Sequence, residues 1–127
     1  MYEPKVSIVI ATHNMGHLIC DTICSCQLQR YRNKEIIVYD DCSTDDTESL
    51  LVDIPNVKYY YGEVNVGVGN AFNAAIEKAT GEIIILMCAD DLFANKHVIK
   101  DIVNTFESND EIGHVTRYYH QFIDYRS

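Results

Sequence analysis

Positive charge is scarce in this chain of 127 residues, where ten Lys and Arg face nineteen Asp and Glu for a formal net charge of −9. Nucleic acid and anionic lipid are gripped through clustered Lys and Arg, so neither is expected as a partner. An anionic small molecule would need a local device instead, either a bound cation or backbone N–H groups. Long apolar runs are missing too. Nothing approaches the roughly 18–20 residues of a membrane span, and Met1 to Lys5 holds no basic segment leading into an apolar one. The composition therefore reads as a soluble, cytoplasmic, unsecreted protein without a transmembrane segment. Paired cysteine motifs are also absent. Cys20, Cys24, Cys26, Cys42 and Cys88 are odd in number and contain no C-x-x-C, which fits reduced thiols better than disulfides or a zinc knuckle. Repeats, linkers and low-complexity stretches are lacking, and 47% hydrophobic content over residues 1–127 fits one domain with one core.

What is present alternates between strand and helix patterns. Val6 to Ile10 is apolar on both faces, which suits a central strand covered on both sides. Leu18, Ile19, Thr22, Ile23 and Cys26 recur at helical spacing, and Glu35 to Tyr39 returns as a strand. Ser43-Thr44-Asp45-Asp46 reads as a capping-box variant opening a helix to about Val52, and Val57 to Tyr61 as a strand. From Gly69 to Thr80, Ala71, Phe72, Ala75, Ile76 and Ala79 share one helical face, with Gly81 as a left-handed stop. Glu82 to Met87 reads as a buried strand, Asn95 as the cap of a helix carrying Val98, Ile99, Ile102, Val103 and Phe106, and Ile112 to Thr116 as a last strand. This alternation predicts an α/β three-layer sandwich on a mostly parallel sheet.

In such sheets ligands bind outside the carboxyl ends of the strands. Polar residues gather at three of those ends: Ala11-Thr12-His13-Asn14, Asp40-Asp41-Cys42-Ser43 and Cys88-Ala89-Asp90-Asp91. Two carboxylates in one tight turn repel, so one of Asp40 and Asp41 is expected to face a ligand donor and the other backbone N–H groups. A carboxylate suits the N3–H of uracil; turn acids supporting Ser43 would look the same. Asp90 and Asp91 close a very apolar strand, and oxygen pairs of this kind hold Mg²⁺ or Mn²⁺ shared with phosphates. Asp91 capping the next turn, with Asp90 solvated, is the other reading. Gly67-x-Gly69 lacks the third glycine of a dinucleotide fingerprint because Phe72 occupies it, so this loop serves close backbone approach to a ligand.

In order and spacing, Val6 to Asn14, Glu35 to Thr47, Asn65-x-Gly67-x-x-x-Ala71-x-Asn73-x-Ala75, Gly81-Glu82 and Ala89-Asp90-Asp91 form one set. It resembles the family 2 glycosyltransferases of the GT-A fold, from Val6 to about Phe106. The resemblance implies the Rossmann-like nucleotide-binding half of that fold. It also implies an inverting, metal-assisted transfer from a UDP-sugar to a glycan, lipid or protein acceptor, as in polysaccharide biosynthesis. The implied nucleotide site comprises Ala11, Thr12, Asn14, Asp40, Asp41, Asn65, Gly67, Asn73 and Ala89. Asp90 and Asp91 are the implied ligands of Mn²⁺ or Mg²⁺.

Three departures stand out. Cys88-Ala89-Asp90 replaces the family's Asp-x-Asp, which removes the first acid's ribose or sugar contact. Phe72 stands where an Arg often precedes Asn73. The acceptor-binding half, which carries the general base of inverting members, is expected outside residues 1–127, so no catalytic residue is assigned. Asp124, Glu111, His114 and His120 have no base motif around them. The chain would then pair with an acceptor domain or with a second copy of itself. The alternative is a module that binds nucleotide sugar without transferring it. A phosphotransfer receiver domain lacks its Lys and lone Asp here, and a sugar nucleotidyltransferase lacks its Gly-rich basic loop after the first strand.

Overall fold

A computed structural model describes residues 2–108. The chain runs β1 (Val6–Thr12), α1 (Gly16–Gln27), β2 (Lys34–Asp41), α2 (Thr47–Leu51), β3 (Val57–Gly62), α3 (Val68–Lys78), β4 (Ile83–Cys88) and α4 (Val98–Ser108). The strands form one sheet in the order β3-β2-β1-β4, parallel throughout. All seven residues of β1 are buried, as its two-sided apolar run requires.

Side chains alternate across a strand, and β1 divides the core accordingly. Val6, Ile8 and Ile10 pack with Ile19 and Ile23 of α1, Leu51 of α2 and Ile99 of α4. Val9 faces the other way and meets Ile37 of β2 and Ala75 of α3. Small Ala71 and Ala75 are the buried residues of α3 and let it sit close on β1 and β2. Each fully buried Ile is worth about 1.5–3 kcal/mol relative to exposure. The sandwich thus has α1, α2 and α4 on one side and α3 on the other. No helix among the described residues is long and apolar enough to cross a membrane.

Four local expectations are corrected. Among the described residues β4 is an edge strand, buried only at Ile83 and Met87, whereas Ile84 is 42% and Leu86 54% exposed; α3 packs mainly on β1 and β2. The helix foreseen from Ser43 begins at Thr47 with no side-chain cap. Ser43 is drawn instead into a tertiary bond, its Oγ accepting the Asn14 N–H at 2.9 Å. Gly81 has no positive φ. It is needed for space, because a Cβ there would lie 2.6 Å from Ser7 Oγ and 2.7 Å from Lys5 O. Asn95 Oδ1 accepts the His97 N–H at 2.8 Å, just ahead of α4 rather than at its cap. Ile112 to Thr116, Glu111, His114, His120 and Asp124 lie outside the described residues.

The amino-terminal edge of the sheet is bound together by Glu35. Its carboxylate accepts Lys58 Nζ at 2.7 Å, Ser7 Oγ at 2.5 Å, and the Thr80 N–H and hydroxyl at 2.7 and 3.0 Å. Burial opposes ionisation, yet the Lys58 hydrogen bond and those from Ser7 and Thr80 outweigh it. They hold this carboxyl well below the usual range.

Candidate functional site

At the opposite edge the ends of β1, β2 and β4 meet the start of α3 around an open cavity of about 400 Å³. Parallel register sets Ala11 of β1 beside Cys88 of β4, and Thr12 beside Asp40 of β2. Seven of the residues expected from sequence line the cavity: Ala11, Thr12, Asp41, Asn65, Gly67, Ala89 and Asp90. Thr12 is only 3% exposed, and its Oγ1 is buried with no hydrogen-bond partner. A buried hydroxyl without a partner costs about 1–3 kcal/mol.

The two adjacent acids of β2 separate because successive side chains leave a strand on opposite faces. Asp41 reaches the cavity, and its oxygens accept the N–H groups of Val66 at 2.8 Å and Gly67 at 2.9 Å. It thereby holds the loop before α3 in place, with Gly67 at φ +90° as the N-cap. Asp40 is fully buried and lies outside the cavity. One oxygen accepts the Ser43 N–H at 2.9 Å and the other the Tyr59 hydroxyl at 2.5 Å. Burial, then the Asp40 bond, push the Tyr59 pKa up. Asp40 braces the turn after β2, with both its oxygens committed to protein donors.

Asn14 and Asn73 also stand off the cavity. Asn14 takes a left-handed φ of 52°, and its Oδ1 accepts the N–H groups of Thr44 and Asp45 at 2.8 and 3.2 Å. It stitches the loops after β1 and β2 together. Asn73 is exposed along α3. Asp91 does not line the cavity, but its Oδ2 accepts the Cys88 N–H at 2.9 Å while its own N–H donates to Cys88 O at 3.1 Å. This closes a tight turn in which donor atoms of Cys88, Asp90 and Asp91 all lie within 4.8 Å of one another. Two exposed carboxylates in that arrangement suit a hard divalent ion. The Cys88 thiol pKa is raised, first by burial and then by Asp91 and Asp90.

His13, Met15, Val68, Ala71 and Cys88 line the cavity without having been singled out as site residues. His13 is the most informative. Its Nδ1 lies 2.7 Å from Asp41 O. A carbonyl only accepts, so Nδ1 donates, leaving Nε2 as an acceptor beside the amides of Asn14 and Asn65 at 3.3 and 3.5 Å. Its position directly after Thr12 was the available signal. Val68 and Ala71 belong to the first turn of an eleven-residue helix whose N-terminus opens on the cavity, where free N–H groups and the dipole favour anions.

Known proteins share this fold. The solved structure of S. aureus TarS 1-349 superposes with a TM-score of 0.76 at 30% identity, over 82% of this chain and 32% of that one. It has also been solved with UDP and with UDP-GlcNAc. A mannosyltransferase from Pyrobaculum calidifontis, in complex with GDP-Man and Mn²⁺, gives 0.78 at 27% identity over 84% of this chain and 33% of its own. An uncharacterized glycosyltransferase of Nostoc sp. is 31% identical across 86% of this chain and 35% of its own length. The chain spans about a third of the length of each of these proteins. The family model described as Glycosyl transferase family 2 matches residues 7–127, and the chain belongs to that family.

Proposed function

We propose that residues 1–127 form the donor-binding domain of an inverting glycosyltransferase that takes a UDP-sugar together with Mn²⁺ or Mg²⁺. The observation that carries this reading is the cavity at the carboxyl ends of the strands, lined by Asp41, Asp90 and the start of α3. Asp41, fixed by two backbone donors, keeps further lone pairs for the N3–H of a uracil. The N-terminus of α3 favours phosphate, and Asp90 with Asp91 would hold the cation. The metal, when bound, offsets charge that develops on the departing UDP. The acceptor, a glycan, lipid or protein, and the base that activates it belong to a separate acceptor half or to a partner. The five free thiols fit a cytoplasmic setting.

The complexes of TarS with UDP and UDP-GlcNAc and of the mannosyltransferase with Mn²⁺ support the donor class and the metal by analogy. A module that binds donor without transferring it is the second reading. It is favoured by Asp41 and Asp90 being the cavity's acids among the described residues, with none left over as a base. Calorimetry of the chain with UDP tests the main reading: affinity rises with Mn²⁺ or Mg²⁺ and falls on chelation. Equal UDP affinity with and without metal overturns the metal assignment, and hydrolysis or transfer of UDP-sugar by this chain alone overturns the second reading.

A further inference from the structure

The net charge of −9 conceals a local excess of positive charge. Residues 22–34 and 92–100 contain no Asp or Glu, and five of the eight Lys and Arg among the described residues fall within them. Tertiary bonds bring these two segments together. Buried Gln29 donates to Asn95 O and accepts the Ile99 N–H at 3.1 Å, and the Arg30 N–H donates to Lys96 O at 2.8 Å. Beside this joint, at the amino ends of β2 and β3, a second cavity of about 450 Å³ is lined by Gln27, Arg32, Lys34, Ile36 and Asn56. It lies at the end of the sheet opposite the donor cavity, and none of its lining residues is acidic. Alternation turns Lys34 and Ile36 to one face of β2 and Glu35 to the other, where Glu35 is occupied by Lys58, Ser7 and Thr80.

Lys34 supplies a second, independent observation. Its half-buried ammonium donates to Gln29 O at 3.1 Å and Tyr31 O at 2.7 Å, both neutral acceptors, and burial lowers its pKa. Lys5 and Lys58 by contrast pair with Glu35, and Lys78 lies over the Tyr60 ring. Among the described residues the two cations of the cavity have no carboxylate partner. We propose that this cavity binds a phosphoryl group, carried either by a small phosphorylated ligand or by a lipid headgroup. The Arg32 fork, the remaining Lys34 N–H and the amides of Gln27 and Asn56 offer more donors than a carboxylate can use, and they suit the several acceptor oxygens of a phosphate. The bound anion supplies the counter-charge that a partly desolvated ammonium lacks. This site is separate from the donor cavity and does not rest on the donor reading.

The test is calorimetry of the full chain with inorganic pyrophosphate at low salt in EDTA, which removes metal-dependent binding at the donor cavity. In parallel, the chain is sedimented with vesicles of phosphatidic acid in phosphatidylcholine and of phosphatidylcholine alone. Saturable binding of pyrophosphate, of the phosphatidic acid vesicles or of both is expected. Pyrophosphate alone identifies a free phosphorylated ligand, vesicles alone a headgroup, and competition between the two a site open to either. Arg32→Gln, at an exposed side chain, should weaken the binding about tenfold or more, and Lys34→Met should do the same. Lys78→Gln, an equal change of charge on α3, should alter it less than about twofold. Circular dichroism establishes that the variants fold. Binding of neither probe overturns the proposal. Binding that Lys78→Gln weakens as much as Arg32→Gln does also overturns it, because that is diffuse attraction and not a site.

Discussion

The two ends of β1 each bury a hydroxyl, and they treat it in opposite ways. At the amino end Ser7 Oγ donates to Glu35 at 2.5 Å and accepts the Gly81 N–H at 2.8 Å. Five residues along, Thr12 Oγ1 is equally buried and bonds to nothing. The acids follow the same division. Glu35 has ammonium, hydroxyl and amide partners around it, whereas Asp90 and Asp91 stand exposed beside a cavity. One edge of the sheet is satisfied internally and carries stability, and the other presents exposed carboxylates beside a cavity. Burial and residue type alone do not distinguish the two roles; the presence or absence of a protein partner does.

The sharpest way to break this comparison is to remove Glu35. Glu35→Ala strands Ser7 and the Thr80 N–H and should cost about 2–4 kcal/mol in urea denaturation. The figure is kept below that of a fully buried pair because Lys58 is about half exposed and regains water. Asp90→Ala should change stability by less than about 0.5 kcal/mol while abolishing metal-dependent UDP binding. A depressed carboxyl pKa contributes stability above its unfolded value, about 4.3, and that contribution is lost as pH falls through the folded value. Wild-type stability should therefore decline on acidification below about pH 4.3, and Glu35→Gln should flatten that decline. An unchanged acid profile in Glu35→Gln would mean that the ion pairs seen at this edge are not maintained in solution.

At the other edge Asp41→Asn is the next largest effect. An amide oxygen can retain one of the Val66 and Gly67 bonds but not both, and it cannot accept from uracil N3–H with full charge. A charge-assisted bond of this kind is worth about 1.5–3 kcal/mol, so UDP binding should weaken by at least tenfold and the preference for UDP over CDP should shrink. Discrimination retained in full would show that the base is read elsewhere and leave Asp41 as an anchor of the loop alone.

The architecture was largely legible because it rests on periodicity. Val6 to Ile10 read as a central strand, and the α3 stripe through Ala71 and Ala75 as a helix against a sheet. What escaped was settled by distant partners. Asp40 and Asp41 look alike in a row of residues. Alternation places them on opposite faces, but only Tyr59, nineteen positions away, decides which one is consumed by the fold. Gly81 looked like a helix stop because it follows α3, yet its cause is the backbone of Lys5 and Ser7 on another strand. β4 looked doubly buried because Ile84 and Leu86 are apolar, and nothing local reveals that α3 packs mainly on β1 and β2. His13 escaped because its role depends on a bond to the carbonyl of Asp41.

The smallest effect tests the comparison most directly, because its sign differs at the two ends. Ser7→Ala deletes a hydroxyl with two partners, leaving the Gly81 N–H and one Glu35 oxygen short, and should destabilise by about 1–3 kcal/mol. Thr12→Val is close in shape and deletes a hydroxyl with no partner, so the unliganded fold should be unchanged or gain up to about 1 kcal/mol. The hydroxyl is closed to solvent, so UDP affinity should move less than about twofold. A melt with and without UDP and Mn²⁺ reads both quantities in one protein: the apo midpoint holds or rises while the ligand-induced increment is kept. A Thr12→Val variant that loses apo stability as Ser7→Ala does would mean that Thr12 Oγ1 has a protein or water partner of its own. The two ends of β1 would then be alike in their internal bonding.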